Sequence, residues 1–112
     1  MLYVLGPQGQ LTALNLADGS KKWSYQSGSA VAGETASNSS PSIGGDGTVY
    51  IVASDSLQHT SALYAMDPAT GQPKWTYKLP GASNADSATP TIGADGTIYF
   101  FERGQGMVYA IK

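Results

Sequence analysis

Cysteine is absent, so this 112-residue chain has neither a disulfide nor a thiolate metal ligand available, although that alone does not decide its compartment. Charge is scarce too. Asp, Glu, Lys and Arg together make up 12% of residues, against roughly 25% in typical soluble domains. The six basic residues are dispersed, with Lys21-Lys22 the single adjacent pair. That leaves no basic footprint for a phosphate backbone and excludes nucleic acid as a partner. No apolar run approaches the roughly 20 residues of a membrane span, so no membrane span is expected. The opening Met-Leu-Tyr-Val-Leu-Gly-Pro has no basic flank and too short an apolar stretch for a signal peptide.

What the chain does have is a 41% hydrophobic content, 14 glycines and 6 prolines. Enough apolar surface is present for a core, and the turn formers favour short strands over long amphipathic helices. The apolar and turn residues are organised as a repeat. Ser-Pro-Ser-Ile-Gly-Gly-Asp-Gly-Thr-Val-Tyr at 40–50 returns as Thr-Pro-Thr-Ile-Gly-Ala-Asp-Gly-Thr-Ile-Tyr at 89–99, a shift of 49 residues. The end of that block also occurs at 2–4. A second block, Leu-Thr-Ala-Leu-Asn at 11–15, is matched at 63–67 and 108–112. A third, Gly-Ser-Lys-Lys-Trp-Ser-Tyr at 19–25, is matched at 71–77, which sets Trp23 and Trp75 52 residues apart. Periods near 50 residues with several short strands per unit indicate β-propeller blades.

Each block has a local reason. Proline is tolerated where a short strand begins. The pairs Asp46-Gly47 and Asp95-Gly96 read as hairpin turns. The β-branched and aromatic residues that follow suit strands. Leu63 and Ala65 share one face of the third strand, and Trp75 and Tyr77 share one face of the fourth. The predicted fold is therefore all-β, built of four-stranded antiparallel sheets and amounting to a partial propeller of about two and a half blades. Residues 1–26 supply the last three strands of one blade, 40–78 a complete blade, and 88–112 the first three strands of another. The Ser- and Ala-rich stretches 26–39 and 81–88 become inter-blade loops. Because the chain starts and ends within a blade, it is expected to need more blades of the same polypeptide or further copies of itself, the former preferred.

The spacing Ala13, Gly19, Trp23, repeated as Ala65, Gly71, Trp75, is similar to the tryptophan-docking motif of quinoprotein alcohol dehydrogenases and their non-enzymatic relatives. Those relatives include the propeller lipoprotein of the outer-membrane assembly machinery. The resemblance covers nearly the whole chain. It implies that each tryptophan wedges between its own blade and the next, beside the small alanine and against the bare glycine peptide. By this carry-over Trp23 rests near Ala13 and the Gly71 turn, and Trp75 finds no inter-blade partner within the chain. The first copy departs from the pattern in lacking Pro-Gly after its tryptophan. The resemblance also implies a periplasmic or extracellular location.

Enzymes of the family hold pyrroloquinoline quinone with calcium, and often carry a vicinal cysteine pair. No catalytic, cofactor or metal residue can be matched to this sequence, and the cysteine pair is ruled out. No cofactor is therefore expected in this chain. Asp18, Asp46, Asp67 and Asp95 fall in repeated turns, where a carboxylate accepts from nearby backbone N–H groups. Recurrence favours that scaffold role over catalysis. Asp55 and His59, in the loop after a unit's second strand, are candidate rim-binding residues. So are Glu102 and Arg103 in the same loop of the next unit. The plainer reading, solvated residues with a weak surface ion pair, is preferred. Two functions follow as expectations. The favoured one is a non-catalytic scaffold that binds protein or another ligand. The alternative is a fragment of a quinone-dependent alcohol or sugar dehydrogenase.

Overall fold

A computed structural model of the chain describes residues 1–5, 10–26, 40–55, 60–78, 89–102 and 106–112. These residues are all-β and form three antiparallel sheets. The first sheet holds β1 (Leu2–Leu5), β2 (Gln10–Leu14) and β3 (Lys21–Gln26) in that order. The central sheet holds β4 (Ser42–Ile43), β5 (Val49–Asp55), β6 (Thr60–Met66) and β7 (Pro73–Lys78). The third holds β8 (Thr91–Ile92), β9 (Ile98–Glu102) and β10 (Met107–Ile111), with β9 in the middle. Each sheet is a simple meander, so sequence neighbours pair in space, as short turns demand.

The repeat carries through to register. Ala13 lies opposite Trp23 and Ala65 opposite Trp75, and a bulge follows the alanine in both sheets. The turn after each third strand is closed by the same two backbone bonds. Gly19 N donates to Asn15 O at 2.8 Å and Gly71 N to Asp67 O at 2.9 Å. Asn15 N and Asp67 N return bonds to Ser20 O and Gln72 O, both at 2.9 Å.

The core sits between the sheets. Strand β5 reads Val-Tyr-Ile-Val, a run with no polar alternation, because both of its faces are covered. Val49 and Ile51 pack with Leu11 and Met66 towards the first sheet, with Tyr3, Trp23, Tyr25 and Tyr64 at the margin. Val52 and Leu63 pack with Ile98 and Phe100 towards the third, with Tyr50, Ile92, Tyr109 and Ile111 around them. We call these layers the first and second seams. Fully burying such a side chain is worth about 1.5–3 kcal/mol, so the alternation of β5 ties the three sheets into one stack.

Candidate functional site

The seams are where the repeated motif residues come together. At the first seam the Trp23 indole lies on its own sheet over Ala13, which is fully buried, and beside Tyr3, with ring centroids 5.9 Å apart. It also crosses to the central sheet. Its Nε1 donates to the Pro68 carbonyl at 2.8 Å. The Gly71 peptide presses against the ring so closely that a Cβ there would lie 2.6–2.9 Å from three indole atoms. Gly71 is buried and has φ +75°, a left-handed conformation that costs other residues about 1–2 kcal/mol. Two independent constraints therefore select glycine at this position. Tyr25 and Tyr64 add a tilted ring pair across the same seam, 6.1 Å apart.

Gly19 occupies the matching place in the first sheet. It has φ +72° and nothing within 4 Å of a Cβ. Trp75 matches Trp23. It faces Ala65, which is fully buried, and approaches Tyr50 with ring centroids 6.1 Å apart, yet it is 39% exposed. The structure thus brings Ala13, Trp23 and Gly71 together, and Ala65 with Trp75, and it leaves Gly19 apart from both tryptophans.

The aspartate turns serve the backbone. Asp46 and Asp95 each accept from the N–H two residues on, Thr48 and Thr97, both at 3.0 Å. Asp18 accepts from Ser20 N at 3.0 Å and from Ser20 Oγ at 2.7 Å. Asp67 accepts from Ala69 N at 2.8 Å. The Thr48 backbone bond, followed by its side chain and by Lys74, holds the Asp46 carboxyl below the usual aspartate value. The Thr97 backbone bond does the same for Asp95, and that of Ser20 for Asp18. Lys74 and Lys112 lie 3.8 Å from Asp46 and Asp95, as exposed ion pairs of little energetic value. Gly47 and Gly96 complete the hairpins with φ +89° and +86°.

The structure adds features that periodicity did not suggest. The Asp46 and Asp95 turns face each other across an open cleft of about 650 Å³, lined also by Ile43, Tyr50 and Ile92. Ser42 Oγ donates to the Pro90 carbonyl and joins the central and third sheets below it. The acceptor role of Pro68 is equally unannounced. The available signal was the 49-residue shift, which puts like turns on the same rim of adjacent sheets.

His59 and Arg103 lie outside the described residues. Asp55 and Glu102 are the last residues of β5 and β9, equivalent interior strands of adjacent sheets. Among the described residues no three histidine or acidic side chains converge on a point. The turn carboxylates that are present already accept from their own backbone. Among the described residues this donor set does not fit calcium with a quinone. No helix among the described residues is long and apolar enough to cross a membrane.

A family model described as outer membrane protein assembly factor BamB matches residues 1–112. Among curated proteins none matches the chain.

Proposed function

Because the chain belongs to the family described as outer membrane protein assembly factor BamB, we propose that it is a non-catalytic β-propeller repeat module that binds other polypeptides during outer-membrane assembly. The observation that carries this reading is the use made of the repeated residues. Every motif tryptophan, alanine and glycine faces a seam or a turn, and the four turn aspartates accept from backbone N–H groups. Groups committed in this way position sheets; they do not supply a nucleophile, acid or base. An apolar surface available for recognition lies on the third sheet, where Tyr99, Phe101 and Val108 are 43%, 50% and 69% exposed. Contiguous exposed aromatic and aliphatic residues mark interaction sites. A periplasmic location is part of the same proposal.

Two measurements test it. Reconstitution of the chain with pyrroloquinoline quinone and calcium, followed by a dye-linked alcohol oxidation assay, is expected to show no turnover above the cofactor alone. Turnover would contradict the reading. Co-elution with outer-membrane assembly components on a sizing column is expected, and its loss on Phe101→Ser with Val108→Ser would map binding to the third sheet.

A further inference from the structure

The cleft between the central and third sheets has two walls made from the same repeated part. One is the turn from Gly44 to Gly47 and the other the turn from Gly93 to Gly96. Each is closed by its own backbone. Gly47 N donates to Gly44 O and Gly96 N to Gly93 O at 3.0 Å, while Gly44 N donates to Thr48 O and Gly93 N to Thr97 O at 2.8 Å. Asp46 and Asp95 each cap a threonine N–H with one carboxylate oxygen. Ser42 bonds the Pro90 carbonyl beneath, so the walls are also tied to each other. The Tyr50 ring lines the cleft and leans on Gly44 so closely that a Cβ there would lie 3.1 Å from it. The cleft is thus pre-formed by described residues. At about 650 Å³ it falls within the range of roughly 300–1,000 Å³ usual for small-ligand sites.

The chemistry of the rim selects the ligand. The second oxygen of Asp46 is 3.8 Å from Lys74 Nζ, and that of Asp95 is 3.8 Å from Lys112 Nζ. Both distances exceed a hydrogen bond, so these oxygens keep lone pairs for a ligand. Lys74 Nζ donates to Thr48 Oγ1 at 2.9 Å and carries further donors. Each rim therefore sets an acceptor beside a donor, with no net charge. Ile43, Ile92 and Tyr50 add apolar surface. A charged ligand gains little where the rim charges cancel. A wholly apolar ligand would strip water from the carboxylates without replacing its hydrogen bonds. An extended peptide adds to a strand edge, and the walls here are turns. A hydroxyl both donates and accepts, so hydroxyls arrayed on a ring with an apolar face match this lining.

We propose that the cleft between the Asp46 and Asp95 turns is a binding site for a neutral saccharide. The two carboxylates accept from its hydroxyls, the flanking lysines donate to it, and the Tyr50 ring packs on the apolar face of a sugar ring. The turn tips are small at Gly45 and Ala94, and a Cβ on Gly45 would meet nothing within 4 Å, so the mouth stays open. The inference goes beyond the scaffold reading. It concerns a small ligand in place of a polypeptide, on a surface distinct from the exposed apolar face of the third sheet.

The test titrates the isotope-labelled 112-residue chain with maltotetraose, cellotetraose and chitotetraose and follows its amide resonances by NMR. At least one sugar is expected to bind saturably, with the largest shifts in residues 43–50 and 92–99 and an affinity indifferent to added salt. Asp46→Asn with Asp95→Asn keeps one oxygen for each backbone cap but turns the ligand-facing oxygen into an amide donor. The paired variant is expected to weaken binding about tenfold or more. Ala94→Gln narrows the mouth at an exposed turn position and is expected to weaken it as well. Asp18→Asn, whose turn lies outside the cleft, is expected to change nothing. No saturable shift with any of the three sugars, shifts centred elsewhere, or binding that the paired variant leaves intact would each overturn the inference. So would a response abolished by salt, which would assign the cleft to a charged ligand. Co-elution with assembly components is expected to survive in the paired variant, so the sugar site and the scaffold reading fail separately.

Discussion

At the first seam an indole is clamped, and at the second its counterpart is open. Trp23 and Trp75 share a register opposite alanine, a neighbouring tyrosine and a preceding Lys. They differ in what the next sheet provides. The central sheet offers Trp23 a carbonyl and a bare glycine, and the third sheet, as far as β10 reaches, offers Trp75 neither. The motif is thus half a joint. Its strength depends on a turn in the following unit and not on the sheet that carries the tryptophan. The comparison of Gly19 with Gly71 says the same from the other side. A Cβ on Gly19 would meet open space, whereas one on Gly71 would run into an indole.

The largest expected effect breaks the clamp itself. Trp23→Ala removes the cross-seam indole and its hydrogen bond, and is expected to cost about 3–5 kcal/mol in urea unfolding. Trp75→Ala is expected to cost well under half as much, because much of that ring already meets solvent. Equal losses would erase the distinction between the seams.

Next come the glycines. Gly71→Ala combines a left-handed backbone with overpacking against Trp23, and is expected to cost about 2–4 kcal/mol. Gly19→Ala meets only the backbone term, about 1–2 kcal/mol. Thermal melts of the two variants side by side check the ordering.

The aspartate turns are a smaller and deliberately indifferent comparison, because they recur with or without a filled seam. Asp18, Asp46 and Asp95 have folded-state values below their unfolded ones. Their stabilisation is therefore complete above the ordinary aspartate value and is lost as pH falls through the depressed folded values. Stability measured by urea at a series of acidic pH values is expected to fall only below the ordinary aspartate range. Replacing all three with Asn is expected to flatten that fall.

The smallest effect is at the second seam. Tyr109 stacks on Phe100 at 5.0 Å, and its hydroxyl is buried with no partner among the described residues. Tyr109→Phe removes an unsatisfied group and is expected to leave stability unchanged or raise it by up to about 1 kcal/mol.

Much of this architecture was legible beforehand, for a physical reason. Blocks such as Pro-Ser-Ile, Asp-Gly and Leu-Tyr-Ala-Met place strand starts, turns and the two faces of each strand through local preferences and side-chain alternation. The structure realises them as sheets of three, four and three strands among the described residues. The meeting of Trp23 with the Gly71 turn was read from a family resemblance and not from spacing. Contacts that depend on how one sheet is staggered over the next left no local trace. The Pro68 carbonyl under Trp23, the Ser42 to Pro90 bond and the cleft between the Asp46 and Asp95 turns are of that kind. Periodicity identifies equivalent residues, but it does not say which backbone atom of one unit meets which side chain of another.

A double-mutant cycle on Trp23→Ala and Gly71→Ala in urea addresses the joint most directly. If the indole and the glycine form one clamp, Gly71→Ala in the Trp23→Ala background should cost no more than Gly19→Ala does in the parent chain, leaving a coupling of about 1–2 kcal/mol. Strict additivity of the two substitutions would mean that ring and peptide do not meet.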